Sequence, residues 1–155
     1  MIFFLKLSGN PVPKGRPRFT RTGRAYTPAK TAKYESDGKL QARIKWGNQP
    51  LVDRPIACVV SARLPIPKSW SKRKKEAAES GQLPHVSRPD LDNYIKIALD
   101  ILNETVIRDD SIVVSLSAEK KYSDDPCLVI KLLETDSQGI LAPLALDAVS
   151  SADPT

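Results

Sequence analysis

The residues best placed to do chemistry lie in the segment 88–96, which reads RPDLDNYIK. Its two carboxylates, Asp90 and Asp92, would point about 200° apart inside a regular helix. They can converge only if Asp90 precedes the helix, and both Pro89 and the preference of Asp for the N-cap position favour that boundary. Carboxylate oxygens are the ligands that a hard cation such as Mg²⁺ requires. The segment therefore predicts a metal site at the positive end of a helix.

The predicted helix, Asp90–Asn103, carries its polar side chains on one narrow stripe. At 100° per residue, five polar residues fall within about one quadrant: Asp92, Asn93, Lys96, Asp100 and Asn103. The rest of 94–102 is apolar, which predicts a helix buried on most sides. Lys96 lies roughly 6 Å along the axis from Asp92, where it could neutralise a phosphate or hold an attacking water. Asp100 lies roughly 12 Å from Asp92, so we expect it to be structural.

Two further acids, Asp109 and Asp110, precede the next predicted strand and could arrive beside the start of this helix. The residues alone leave open which of the two is a third metal ligand. Each acid also has an ordinary structural explanation. Asp90 could be only a helix cap, Asp92 could only form an ion pair with Lys96, and the two later acids could belong only to a turn. Taken together, they favour metal-assisted cleavage of phosphodiesters.

The charge of the chain predicts a polyanionic partner. The net charge is +6, and residues 135–155 contain three Asp and no Lys or Arg, so residues 1–134 carry +9. In a domain this small, such an excess favours nucleic acid over a membrane surface.

A loop rich in Gly and Pro provides the predicted nucleic-acid contacts. Residues 14–26 hold five positive charges and no acid, and guanidinium groups match phosphates with two parallel hydrogen bonds. The aromatic rings of Phe19 and Tyr26 could stack on an exposed base. The predicted DNA-binding residues are Lys14, Arg16, Arg18, Phe19, Arg21 and Arg24. A solvated surface loop is the alternative.

Two other features carry weaker predictions. The cluster Lys68–Lys75, which includes Trp70, could be a solvated helix face or a second contact with the DNA backbone. His85 is the only histidine, and since no Ser, Cys or second His is placed near it, we expect it not to be catalytic. Cys58 and Cys127 lie singly in apolar segments without CxxC spacing, which predicts small buried hydrophobic residues.

The remaining pattern predicts one α/β domain, a small mixed β-sheet packed with two or three helices. Besides 90–103, helices are predicted at 28–46, anchored by Ala32, Leu40 and Ile44, and at 68–80; residues 8–27 are expected to be irregular. The predicted strands are 2–7, 56–64, 112–122 and 128–133, the last two forming a hairpin. The domain is assigned to 1–134, followed by a flexible extension at 135–155. The sequence contains neither a secretory signal nor a membrane span, which favours the cytoplasm.

The segment 88–96, followed after about a dozen residues by Asp109-Asp110, resembles the signature of RusA-type Holliday-junction resolvases. The loop 13–28 is similar to the basic N-terminal segment of that family, and the resemblance spans roughly residues 2–134. It implies an α/β fold, a homodimer, and paired symmetric nicking of four-way DNA junctions in recombination and repair. Mg²⁺ is the implied cofactor, with Mn²⁺ able to substitute. The insert at 68–82 and the segment after 135 depart from the shortest members.

Matched position by position, the resemblance implies specific roles. The catalytic carboxylates and metal ligands fall on Asp90, Asp92 and Asp110, and the catalytic lysine falls on Lys96. A competing interpretation is a non-catalytic basic module that binds nucleic acid, in which the acids are caps and ion pairs. A nucleotide-sugar transferase using Asp90 and Asp92 ranks last, because 155 residues leave little room for a nucleotide-binding domain and an acceptor site.

Overall fold

The computed structural model describes residues 1–135, which form two β-sheets and three α-helices. The elements are β1 (Phe3–Ser8), β2 (Arg18–Phe19), β3 (Ala25–Tyr26), α1 (Ala29–Trp46), β4 (Ile56–Pro65), α2 (Lys72–Glu79), α3 (Leu91–Leu102), β5 (Val113–Ser123) and β6 (Cys127–Glu134). A short 3₁₀ turn at Asp110–Ile112 precedes β5. This arrangement confirms the predicted α/β fold with a small mixed sheet. The expected flexible extension lies outside the described residues from 136 onward.

The main sheet has four strands in the order β1-β6-β4-β5. Strand β6 pairs antiparallel with both β1 and β4, whereas β5 pairs parallel with β4. The predicted hairpin of the last two strands is therefore wrong, because β4 lies between them. Neighbouring strands are about 4.8 Å apart, so residues 124–126 need to span only roughly 10 Å across the end of β4. Strand β4 is buried along most of its length and accordingly has a neighbour on each edge.

Residues 8–27 are less irregular than the sequence predicts. Strands β2 and β3 pair through Arg18 with Tyr26 and Phe19 with Ala25. The turn between them is closed by backbone hydrogen bonds of 2.9 Å from Thr20 N to Arg24 O and from Gly23 N to Thr20 O. Gly23 has a φ of 81°, which a side chain would disfavour. The segment 14–26, which we call the arginine loop, thus contains a small β-hairpin.

Helices α1 and α3 pack together on one face of the sheet. Gly38 of α1 makes this approach possible, because a Cβ there would lie 2.7 Å from Cδ1 of Ile101. The predicted anchors of α1 were wrong: Leu40 is 57% exposed, Ile44 is 72% exposed, and Ala32 is also exposed. The buried face of α1 instead consists of Thr31, Gly38, Ala42 and Trp46. Small residues on this face allow close packing that larger aliphatic side chains would prevent.

The burial of α3, the length of α2 and the burial of the two cysteines were also predicted from the sequence. Helix α3 buries Tyr94, Ile97, Ala98, Ile101 and Leu102, as its apolar composition predicts. Helix α2 is shorter than the predicted 68–80, because Ser71 caps it by accepting a hydrogen bond from Lys74 N. Both Cys58 and Cys127 are buried, as predicted.

Within residues 1–135, none of the helices is both long and apolar enough to cross a lipid bilayer.

Candidate active site

Asp90 lies directly before the first residue of α3, with an extended backbone at φ −71° and ψ 149°. This confirms the predicted boundary between Asp90 and the helix. Its carbonyl oxygen accepts a hydrogen bond from Asn93 N at 3.2 Å, but its carboxylate makes no capping hydrogen bond. Asp90 is exposed. A carboxylate at the N-terminus of a helix that does not cap it remains available for another ligand.

The chain before Asp90 is held by a lysine that the sequence interpretation missed. Lys120 Nζ donates to Ser87 O at 2.6 Å and to Pro89 O at 3.0 Å. Lys120 pairs with Ala62 in the sheet and so shares the side of β5 that faces the helices. The only sequence signal was a lysine in strand alternation with Ala118 and Tyr122. The Arg88–Pro89 peptide bond is cis.

Asp92 and Lys96 are both exposed on α3. Among residues 1–135, neither side chain forms an ion pair, so the i,i+4 pair that would explain them structurally is not formed. Asp100 on the same helix does have a partner, since its Oδ2 lies 2.7 Å from Lys14 Nζ. Of the three charged residues on the polar stripe, Asp100 is therefore paired, whereas Asp92 and Lys96 are not, within the described part of the chain.

Asp109 and Asp110 occupy different positions despite being neighbours. Asp109 Oδ1 accepts a hydrogen bond from Ser111 N at 2.9 Å and caps the 3₁₀ turn. Hydrogen bonding to the side chain of Ser111, and then to its backbone N–H, lowers the pKa of Asp109 below its ordinary value. The exposed Asp110 carboxylate has no hydrogen-bond partner within residues 1–135. Asp109 is therefore bound within its own turn, whereas the Asp110 carboxylate is available to bind a ligand.

Within one chain, Asp110 and the start of α3 lie beside different parts of β5. Lys120 contacts the residue before Asp90, and Lys120 lies seven residues beyond Val113, which is roughly 23 Å along β5. Asp110 precedes Val113, so it lies toward the opposite end of α3 from Asp90. The reason is that α3 runs antiparallel to β5. Accordingly, no group of three or more His, Cys, Asp or Glu within residues 1–135 is close enough to hold a metal ion.

The residues at the start of α3 nevertheless suit a hard cation. Mg²⁺ commonly uses one or two protein carboxylates and fills its octahedron with water and phosphate oxygens. Asp90 and Asp92 provide such oxygens, exposed and without protein partners in the described part of the chain. Their donor chemistry therefore fits Mg²⁺, with a third carboxylate from elsewhere.

A cleft of about 750 Å³ opens beside Asp90. We call it the carboxylate cleft, and it is lined by Gly15, Arg16, Arg18, Arg88, Pro89, Asp90 and Asn93. The structure thus brings two residues of the arginine loop to the predicted metal ligand, together with Arg88, which the sequence interpretation left without a role. Asp92, Lys96 and Asp110 are not among these lining residues. Three arginines that line one cleft provide positive charge that attracts phosphates.

Lys14 differs from the other cations of the loop because it is bound to groups of two helices. Its backbone N–H donates to Asn93 O at 3.0 Å, and its Nζ lies 2.7 Å from both Asp100 Oδ2 and Glu35 Oε2. Partial burial alone would lower the pKa of Lys14, but the hydrogen bonds to Asp100 and Glu35 raise it above the ordinary value. Lys14 thus ties the loop to α3 and α1.

The rest of the loop is exposed. Phe19 is 70% exposed and Tyr26 is 47% exposed on the β2–β3 hairpin. Arg21 and Arg24 lie in the turn of the same hairpin and do not line the carboxylate cleft. The loop therefore has two parts: Arg16 and Arg18 beside Asp90, and a projecting tip with two aromatic rings and two further cations.

The carboxylate cleft combines arginines, which bind phosphates, with a carboxylate that suits a metal ion. The family model described as Endodeoxyribonuclease RusA matches residues 8–133. The chain belongs to this family, which confirms the resemblance seen in its motifs. It is also 37% identical over 134 residues to "Uncharacterized protein YqaN" of Bacillus subtilis (strain 168), an alignment that covers 83% of this chain and 94% of that protein.

Proposed function

We propose that this protein is a Mg²⁺-dependent endonuclease that resolves four-way DNA junctions by paired symmetric nicks, acting as a homodimer in the cytoplasm during recombination and repair. Membership of the RusA endodeoxyribonuclease family supports the nuclease activity. The observation that carries the proposal is the carboxylate cleft, in which Arg16, Arg18 and Arg88 line the same space as an Asp90 carboxylate that does not cap its helix.

In this proposal, Asp90 and Asp92 hold the metal ion together with Asp110. The bound ion would supply an activated water and offset the charge that develops on the phosphate. The arginines of the cleft bind the phosphates that flank the scissile bond and fix the strand in position. Lys96, one turn beyond Asp92, stabilises negative charge on the scissile phosphate. Lys120 and Lys14 are positioning residues, because they hold the segments that carry Asp90 and Arg16.

A homodimer would allow Asp110 of one protomer to lie close to Asp90 of the other. Two symmetric nicks require two sites related by a two-fold axis. We propose that each site combines Asp90 and Asp92 of one protomer with Asp110 of the partner subunit. Ile95 and Leu99, both only half-buried on α3, are available to contribute to the interface between protomers.

The competing function is a basic module that binds nucleic acid without cutting it. That interpretation requires the acids to act as caps and ion pairs. Asp109 and Asp100 fit it, since both have local partners. Asp90, Asp92 and Asp110 do not, and this favours the endonuclease.

Incubation with a synthetic four-way junction separates the two functions. The endonuclease would produce nicked duplexes in Mg²⁺ or Mn²⁺ but not in EDTA, and would leave a linear duplex of the same sequence largely intact. Tight binding of the junction without nicking in either metal would instead establish the binding module.

A further inference from the structure

We propose that a second pocket, beside the carboxylate cleft, receives an unstacked nucleobase next to the scissile phosphate and so selects where the junction is cut. This inference rests on the proposed function. The pocket has a volume of about 590 Å³ and is called here the proline pocket, since Pro11, Pro13, Pro28, Pro65 and Pro89 contribute to its wall.

The two cavities are adjacent and share part of their lining. Gly15, Arg18, Arg88 and Pro89 line both the proline pocket and the carboxylate cleft. A phosphate bound between Arg18 and Arg88 would therefore have Asp90 on one side and the proline pocket on the other. The volume lies within the range of roughly 300–1,000 Å³ that is usual for small-molecule sites and exceeds what a single phosphate requires.

The walls have the chemistry of a nucleotide site. The prolines of the wall provide an apolar surface for the face of a base. The charged residues lining the pocket are cationic, namely Arg18, Lys30 and Arg88, and no carboxylate lines it within the described part of the chain. This combination favours a planar apolar group attached to an anion. A free phosphate would need only the arginines.

His85 is placed to recognise the edge of the base. It lines the proline pocket, and its Nδ1 is buried and makes no hydrogen bond within residues 1–135. Its ring is held against Tyr122 at a centroid distance of 4.5 Å, and Tyr122 in turn contacts Trp70 at 5.1 Å.

The charge state of His85 suits this role. Burial, and then the nearby Lys120 ammonium, lower the pKa of His85, which keeps the ring neutral at pH 7. A neutral imidazole offers one donor and one acceptor, the two functions that distinguish base edges. The sequence predicts that His85 is not catalytic. Recognition of a base by His85 is consistent with that prediction.

The binding test uses four-way junctions in EDTA, so it does not depend on cleavage. One nucleobase at a time is removed near the branch point, and affinities are measured for the wild type, His85→Ala and Lys33→Ala. Lys33 lies three residues beyond the pocket-lining Lys30 on α1 and does not line the pocket, which makes it the control.

We expect one position at which base removal weakens wild-type binding by roughly 5- to 150-fold, the range of a lost stacking contact. The same removal should cost His85→Ala several-fold less than it costs the wild type, because the contact of His85 with the base edge is already lost, whereas Lys33→Ala should behave as wild type. If base removal costs the same in all three proteins at every position, the proposal is overturned.

The cleavage test asks whether His85 selects the cut site. In Mg²⁺, the nicking rates of junctions that differ only in the base pair beside the cut are compared for the wild type and His85→Phe, which retains a ring against Tyr122 but has no nitrogen. The wild type should prefer one base by about 10-fold or more, and His85→Phe should lose that preference while still nicking the least favoured junction. If His85→Phe keeps the preference for that base, His85 does not recognise it. Absence of nicking in the wild type would instead refute the proposed function, and the binding test would still decide the pocket.

Discussion

The backbone N–H of Lys14 donates a hydrogen bond of 3.0 Å to the carbonyl oxygen of Asn93, in the first turn of α3. This bond joins the arginine loop to the helix that follows Asp90. The Lys14 ammonium strengthens the connection by binding Asp100 and Glu35. As a result, Arg16 and Arg18 line the same cleft as Asp90, although more than 70 residues separate them in the sequence.

Replacing Lys14 by methionine should therefore weaken both stability and junction binding. The change leaves Asp100 and Glu35 without their shared cation, and since all three groups are partly exposed, we expect a loss of about 1–2 kcal/mol in the free energy of unfolding. The raised pKa of Lys14 means that folding favours its charged form. Its contribution to stability is complete below its ordinary pKa of 10.5 and is lost as the pH rises through the higher folded value.

Urea denaturation of wild type and Lys14→Met at a series of pH values measures this difference. It should be constant from pH 7 to 9 and shrink above the ordinary pKa of the lysine. A difference that is zero at neutral pH would show that the Lys14 ion pairs do not hold the loop.

Lys96→Ala tests a role on the scissile phosphate. Because Lys96 forms no ion pair within residues 1–135, its removal should leave the free energy of unfolding nearly unchanged. The nicking rate at saturating Mg²⁺ should fall on the order of 10²-fold, as is typical when a contact made in the transition state is lost. Lys33→Ala, another exposed lysine on a helix, is the control. Normal nicking by Lys96→Ala would exclude the proposed role.

The arginine loop should give junction binding a steep salt dependence. Each phosphate contact contributes about −0.9 to the log–log slope of affinity against salt, so changing Arg16, Arg18 and Arg21 to Ala should flatten the slope by roughly 2–3 per protomer. Phe19→Ala should instead leave the slope unchanged and weaken binding by about 1–3 kcal/mol, since stacking is not ionic. An unchanged slope in the triple variant would move the binding surface elsewhere, with the exposed lysines of α2 as the next candidate.

Mixing two inactive variants tests whether the site is shared between protomers. Asp90→Asn protein and Asp110→Asn protein should each fail to nick. If Asp110 completes the site of the partner subunit, a heterodimer of the two contains one intact site and should nick one strand of the junction. If each site lies within one chain, every combination is inactive. Refolding the variants together allows protomers to exchange, and refolding each variant alone provides the control.

The sequence predicted the local features of the site because they depend on neighbouring residues. Pro89 and Asp90 define the start of α3, and the apolar composition of that helix predicts its burial. The contacts that join distant segments could not be predicted. Nothing near Lys14 indicates Asp100 as its partner, and nothing near Lys120 indicates the carbonyl of Pro89.

The incorrect predictions about the fold also concern contacts between distant segments. The segments 112–122 and 128–133 were correctly predicted as strands, but the composition of a strand does not identify its neighbour, and both pair with β4. Leu40 and Ile44 were taken as anchors because they are apolar. Contact with Ile101 requires Gly38 on that face instead, and this is a property of two helices rather than of one.

The most direct test of the endonuclease measures nicking and junction binding in parallel for Asp92→Asn, Asp110→Asn and the matched Asp109→Asn. The first two should abolish nicking in Mg²⁺ while binding stays equal or becomes tighter, because removing a negative charge eases the approach of phosphate. Asp109→Asn should retain most of its nicking, because Asp109 caps the 3₁₀ turn. Near-normal nicking by Asp92→Asn or Asp110→Asn at saturating Mg²⁺ would contradict the proposed metal site.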